Sequence, residues 1–111
     1  MYLDFEKRNE ILIANFNGEL DHNSAEEVRI RIDDRIDRDD ISKVILNFSR
    51  VTFMDSSGIG AVVGRYKKIK NKGGKLFIAE TSKNVDKIFE LAGLYKLIDK
   101  YNTVDEAVNC I

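Results

Sequence analysis

The sequence predicts an α/β fold, a single domain over residues 1–111 built on a mixed four- to five-strand sheet with about four helices. Three observations carry that prediction. Short β-branched runs alternate with amphipathic stretches in the order β-β-α-β-α-β-α-β-α. Only Asn9 separates the first two strand-like runs, which makes them an antiparallel hairpin, whereas helices between the later runs favour parallel pairing by right-handed crossovers. The 111 residues contain no proline, repeat or low-complexity tract, and a chain of this length fills one two-layer core.

The elements follow in order. "MYLDFEKR" and "EILIANFNG" form the hairpin, and Ile11, Ile13 and Asn15 alternate with Leu12, Ala14 and Phe16, so that both sheet faces are partly covered. Ser24 and Glu27 have capping-box spacing and open a helix with Ala25, Val28, Ile32 and Ile36 on one face, stopping near "DRDD". Ile30 projects opposite that stripe and marks an exposed contact position. "SKVILNFS" reads as a buried central strand. The next helix carries Ile59, Val62, Val63, Tyr66 and Ile69 on one face and ends at "NKGG", where Gly73 or Gly74 takes a left-handed conformation. "KLFIAE" is a further buried strand. "SKNVDKIFELAG" is a helix built on Val85, Ile88, Phe89 and Ala92 and ended by Gly93. "YKLID" reads as a short last strand. Thr103 and Glu106 form a second capping box, opening a closing helix with Val104, Ala107, Val108 and Ile111.

Composition narrows the function classes. No apolar run approaches the roughly 20 residues that span a bilayer, and the acidic start is no signal peptide. The single cysteine, Cys110, has no partner for an internal bridge, so a reducing cytoplasm is expected. It also has no basic neighbour to activate it. His22 is the only histidine and reads as a loop or capping residue, not a metal ligand. A net charge of −1 argues against a dedicated nucleic-acid binder. The charge is unevenly spread: residues 56–75 carry 6 bases and no acid. In that run Arg65, Lys68 and Lys72 are expected to point away from the apolar face, as a solvated surface or a docking patch.

"TFMDSSGIGAVVG", Thr52 to Gly64, holds the chemistry. An apolar run ends in Asp55, two hydroxyls follow at Ser56 and Ser57, and glycines stand at 58, 60 and 64. One of the three oxygens is enough to cap a helix starting here. The other hydroxyls lie beside small Gly58 and Gly60 on a sterically bare ledge. Glycine inside a helix costs about 1 kcal/mol relative to alanine, which calls for close packing on the sheet or close approach of a partner. A helix N-terminus tolerates a phosphate, since free amides and the macrodipole favour negative charge. Phosphorylation there would load about −1.5 to −2 charges beside Asp55, and beside Asp21 if its loop lies near, so it would act on binding and not on folding.

Other chemistries fit less well. A nucleophile elbow needs a glycine two residues before the serine, where Met54 and Asp55 stand. The spacing of Gly58, Gly60 and Gly64 is not the dinucleotide fingerprint, and about nine residues separate it from the preceding strand. A receiver-like phosphoacceptor role for Asp55 needs an early acidic pair for magnesium, but "ILIANFNG" ends in Asn17 and Gly18.

"GELDHNSAE", "VILNFSRVTFMDSSGIGAVVGRYKKIKNKGGKL" and "VDKIFELAGLYKLI" resemble the anti-sigma factor antagonists of the STAS domain family, nearest to the sporulation branch that acts on anti-sigma F factors. The likeness runs from Leu3 to about Ala107 and implies a STAS-like sheet with helices. It implies that Ser56 is the phosphorylated residue, and that Asp21, Asp55, Ser56, Ser57, Gly58, Ile59 and Gly60 form the partner-docking surface. Ile59 stands where leucine is usual, a volume-conserving exchange. The implied partners are an anti-sigma factor that is a serine kinase with ATP or ADP bound, and a serine phosphatase. No nucleic acid is touched directly and no cofactor is called for. The chain would be a substrate and a binder, not an enzyme. General-stress antagonists of the same family share the chemistry but match these segments less well.

Overall fold

The hairpin turns at Asn9 and Glu10, whose φ values of 51° and 66° are both positive, the geometry of a tight two-residue connection. It joins β1 (Tyr2–Arg8) to β2 (Ile11–Leu20), which pair antiparallel. In a computed structural model describing residues 1–111, the chain continues through α1 (Ala25–Arg38), β3 (Lys43–Met54), α2 (Ser56–Asn71), β4 (Lys75–Ala79), α3 (Lys83–Leu91), β5 (Asp99–Tyr101) and α4 (Val104–Cys110). The five strands lie in chain order, and β2 to β5 are mutually parallel. The expected mixed sheet and four helices are both present.

Strand alternation divides the apolar residues between two faces. Leu12, Ala14, Phe16, Val44, Leu46, Phe48 and Ile78 meet Val28, Ile32 and Ile36 of α1, Val62 and Ile69 of α2, and Val85 and Phe89 of α3. Phe48 is central, stacked on Phe16 at 5.0 Å and edge-on to Phe89 at 5.2 Å. On the opposite face Ile11, Ile13, Ile45, Phe77 and Ala79 pack against Val104 and Ala107 of α4. This short helix does not cover the whole face, and beyond it Asn47 donates to Asn15 at 2.8 Å.

Three expectations are corrected. β3 runs past Ser49 to Met54, because Arg50 to Met54 continue to pair with Asn17 to Leu20 across two register shifts. The last strand is not "YKLID": Leu94–Lys96 is a 3-10 turn entered through Gly93 at φ 73°. Ile98 N donates to Leu94 O at 3.0 Å, so both buried side chains share one side of a turn, and pairing with β4 starts at Asp99. Arg65, Lys68 and Lys72 of the basic run are not a free solvated face. Arg65 Nε lies 2.7 Å from Asp33 Oδ1, Lys68 Nζ 3.0 Å from Asp37 Oδ1, and Lys72 Nζ 3.5 Å from Asp40 Oδ1, a ladder that ties α2 to α1 and the turn after it. Arg65, expected to face solvent, is only 6% exposed.

Candidate functional site

The end of β3 and the start of α2 are set by Asp55. It is extended, at φ −120° and ψ −170°, and its Oδ1 accepts from the amides of Ser57 at 2.9 Å and Gly58 at 3.3 Å. Its Oδ2 accepts from the amide of His22 at 3.2 Å, and its own amide donates to Leu20 O at 3.4 Å. One carboxylate therefore caps α2 and pins the loop between β2 and α1 against it. Neither serine takes part in the cap: Ser56 is exposed, Ser57 is half-buried, and both hydroxyls are free of hydrogen bonds to the chain. A cap needs one oxygen, and Asp55 supplies it.

The loop pinned by Asp55 is itself ordered. Asp21 Oδ1 accepts from the amides of Asn23 at 3.0 Å and Ser24 at 3.2 Å, and the Asp21 carbonyl accepts from the amide of Ala25 at 2.9 Å. The buried Ser24 hydroxyl turns away from the helix and donates to Glu19 O at 2.7 Å. The capping box expected from Ser24 and Glu27 is thus not formed, because the Asp21 carboxylate turns the chain into α1 in its place. At α4 half of the expected Thr103–Glu106 capping box is present: Thr103 Oγ1 accepts from the Glu106 amide at 3.0 Å, and the Glu106 carboxylate does not return the bond. Glu80 Oε2 also accepts from the Val104 amide at 2.9 Å, which spacing alone did not foretell.

The ledge has a floor of glycines with different reasons to be there. A Cβ on Gly58 would collide with the Leu20 carbonyl oxygen and sit 2.8 Å from Met54 Cγ, so α2 lies against the end of β2 only because Gly58 has no side chain. A Cβ on Gly60 or Gly64 would meet nothing within 4 Å. Ile59 is half-buried on the edge of the main core.

The structure thus brings Asp21, Asp55, Ser56, Ser57, Gly58, Ile59 and Gly60 to one end of the sheet, around the mouth of α2. His22 is exposed and contributes its amide, and Cys110 is exposed at the end of α4. Ile30 is 52% exposed on α1. Sequence reasoning put Arg65 on an outward face and missed its burial: it is ion-paired with the half-buried Asp33 and lies at the groove between α1 and α2 together with Glu26, Arg29, Ser57, Gly60 and Gly64. Burial lowers its guanidinium from the ordinary value, and Asp33 opposes that shift. The signal was available in the spacing of Asp33, Asp37 and Asp40 against Arg65, Lys68 and Lys72, but pairing them requires knowing that α1 and α2 are neighbours.

The chain is similar to known proteins in sequence and in fold. The model of the STAS domain matches residues 2–107. The chain is 33% identical to the anti-sigma F factor antagonist of Paenibacillus polymyxa over 111 residues, all of this chain and 92% of that one. It is 34% identical to the anti-sigma F factor antagonist of Lysinibacillus sphaericus over 92 residues, covering 83% and 78% of the two chains. Among solved structures, the Bacillus cell fate determinant SpoIIAA in its phosphorylated form is similar with a TM-score of 0.76 at 31% identity, over 97% of both chains.

Proposed function

The chain belongs to the STAS domain family and, within it, to the anti-sigma factor antagonists; from that premise we propose that it is a partner-switching regulator acting at Ser56. Unphosphorylated, it binds an anti-sigma factor that is also a serine kinase with ATP or ADP bound, and so frees the sigma factor. The kinase transfers a phosphoryl group to the Ser56 hydroxyl, and the modified protein leaves. A serine phosphatase resets it. The greater likeness to antagonists of anti-sigma F factors supports a role in sporulation transcription. The site of action in this reading is the cytoplasm, and no helix is long and apolar enough to cross a membrane.

The observation that carries the proposal is the division of labour at the mouth of α2. Asp55 does the capping, which leaves the Ser56 hydroxyl exposed and unengaged at a positive helix end. Folding has no use for that hydroxyl, so it can be esterified without unravelling the helix. The added dianion stands beside Asp55 and the Asp21 loop that Asp55 holds, so a partner that desolvates this surface meets clustered negative charge. Asp21, Asp55, Ser57, Gly58, Ile59 and Gly60 are the surface on which it would sit. Moving the partner from mostly bound to mostly free requires about 3–5 kcal/mol of differential affinity, within reach of charge repulsion combined with lost hydrogen bonds.

The receiver-like alternative is disfavoured by the same geometry, because both oxygens of Asp55 already accept backbone amides. A hydrolytic role is disfavoured too, since no base touches either serine hydroxyl. The test is incubation with the anti-sigma factor kinase of the same genome and magnesium ATP, followed by intact mass and peptide mapping. One added phosphoryl group on Ser56, stable to acid, supports the proposal. An alkali-labile label on Asp55, or a label on Ser57, refutes the assignment. Capture by the general-stress kinase in preference to the sporulation kinase would move the chain to the other branch.

A further inference from the structure

Beyond the reach of α4, the sheet face that carries Ile13 and Ile45 turns polar and forms an open cavity of about 400 Å³ across β1, β2 and β3. Tyr2, Asp4, Asn15, Asn17, Asn47 and Arg50 line it. Asp4, Asn15 and Asn47 make one cross-strand row, and Tyr2, Asn17 and Arg50 make the next. An uncovered strand face is polar for solubility alone, but solubility does not select asparagine, which is depleted in strands. Asn15, Asn17 and Asn47 nevertheless stand together on β2 and β3, interior strands of the sheet. The fold uses them sparingly. Asn47 donates to Asn15 Oδ1 at 2.8 Å and accepts from the Ser49 amide at 3.0 Å, which leaves Asn15 Nδ2 and the whole Asn17 side-chain amide free. Asp4 and Arg50 are exposed and enter no ion pair, although Glu6 and Arg8 on the same β1 are paired at 3.4 Å. The pairing of β2 with β3 also shifts register between Asn15 and Asn17, and such bulges bend a strand and re-aim its side chains.

We propose that this cavity binds a short zwitterionic peptide, with its amino end on Asp4, its carboxylate on Arg50 and its peptide groups on Asn15, Asn17 and Asn47. The cavity shares no residue with the surface around Ser56, and the inference goes beyond the function proposed above. Charge selects the two ends. The Asp4 carboxylate only accepts and so matches an ammonium group, while the Arg50 guanidinium only donates and its fork matches a carboxylate. Distance selects the length. Neighbouring strands lie about 4.8 Å apart, so β1 and β3 stand about 10 Å apart across β2. A free amino acid, with its charges on adjacent groups, is too short. An extended chain rising about 3.4 Å per residue brings the two ends of a tripeptide close to that separation. Hydrogen bonding selects the middle, because an asparagine amide both donates and accepts, as a peptide group requires of its partner. Tyr2, 71% exposed at the rim, offers its ring to an apolar side chain of the ligand. A neutral sugar would leave both charges unmatched, and a phosphorylated sugar would leave Asp4 without a cation.

The probe is the tripeptide Ala-Phe-Ala with free ends, titrated into the full chain and followed by heteronuclear NMR at the side-chain amides of Asn15, Asn17 and Asn47. Saturable shifts at these amides are expected, with a Kd of about 1 mM or tighter. Asp4→Asn and Arg50→Gln lie at exposed positions, so each is expected to keep the wild-type Tm and to weaken binding about fivefold. The same peptide with its amino end acetylated and its carboxyl end amidated is expected to cause no shift. Absence of saturable shifts with the free peptide, or equal shifts with the blocked one, overturns the inference. Equal shifts from inorganic phosphate would make the cavity a general anion site at Arg50 and refute the peptide. Binding unaltered in both variants would place the peptide elsewhere and refute it as well. Labelling of Ser56 by the kinase reads the proposed function separately and is untouched by any of these outcomes.

Discussion

Replacing Asp55 by alanine removes three acceptor contacts at once: the bonds from the amides of Ser57 and Gly58 that start α2, and the bond from the amide of His22 that holds the loop after β2. Loss of an N-cap side chain costs about 0.5–2 kcal/mol. Loss of a hydrogen bond to a charged acceptor adds about 1.5 kcal/mol where the amide finds no other partner, and less here because His22 is exposed and water can substitute. The expected destabilisation is therefore about 2 kcal/mol. With a urea slope of about 1–2 kcal/mol per molar, the midpoint should fall by roughly 1–2 M, and Tm by about 8–12 °C. Asp55→Asn separates the two roles, since asparagine caps as well as aspartate but turns an amide donor toward His22 N. It should lose less than half as much stability as Asp55→Ala, while losing most of the loop's protection from amide exchange at His22. Urea unfolding followed by circular dichroism, with hydrogen exchange at His22, reads both quantities. An Asp55→Ala variant within about 0.5 kcal/mol of wild type would show that the carboxylate does not organise the site.

Other consequences are as direct. Gly58→Ala should destabilise by about 1–3 kcal/mol despite its better helix propensity, because the new methyl group has no room against Leu20 O and Met54 Cγ, and calorimetric Tm checks the sign. Asp86 Oδ1 accepts from Tyr95 Oη at 2.7 Å and Lys100 Nζ at 2.9 Å, joining α3 to the 3-10 turn and β5. Lys100 first, then Tyr95, hold that carboxyl below its ordinary value, so its contribution is present above about pH 4 and is lost as pH falls through the lower folded value. The stability gap between wild type and Asp86→Asn should therefore narrow from pH 5 to pH 2 in urea titrations, and a constant gap would contradict the assignment. Burial, then the Asp86 bond, raise the Tyr95 hydroxyl above its ordinary value, so this support should weaken only as pH climbs past about 10. Ser56→Ala should block labelling by the kinase and still bind it, and label persisting on Ser57 would show the wrong hydroxyl was chosen. Ser56→Asp should weaken binding while its Tm stays within a few degrees of wild type.

Much of the fold was legible because local pattern and tertiary role agree. Val28, Ile32 and Ile36 lie on the stripe that period predicts, and all three are buried. Errors fall where a contact distant in sequence decides. Tyr95 and Leu97 alternate like a strand, but Leu97 is 54% exposed, and it is Leu94 and Ile98, four apart, that enter the core. Gly93 turns the chain there, and no pattern within "YKLID" reports the pairing of Asp99 with Phe77. Similarly Ser24 and Glu27 have the right spacing for a capping box, yet Asp21 reaches the turn first. At the site, the sequence could bring Asp55, Ser56 and Ser57 together because they are neighbours. It could not show that Asp55 caps alone, that His22 joins the loop to α2, or that Gly60 and Gly64 lack an internal reason to be glycine. Those facts depend on what lies across the space.

In the proposed function, a phosphoryl group on Ser56 controls binding without disturbing the fold. Titrating the ADP-loaded anti-sigma kinase with the unmodified chain and with the chain stoichiometrically phosphorylated on Ser56 tests it most directly. The phosphorylated chain is expected to bind at least about 100-fold more weakly, corresponding to roughly 3 kcal/mol, with a circular dichroism spectrum matching that of the unmodified chain. Equal affinity of the two forms would contradict it.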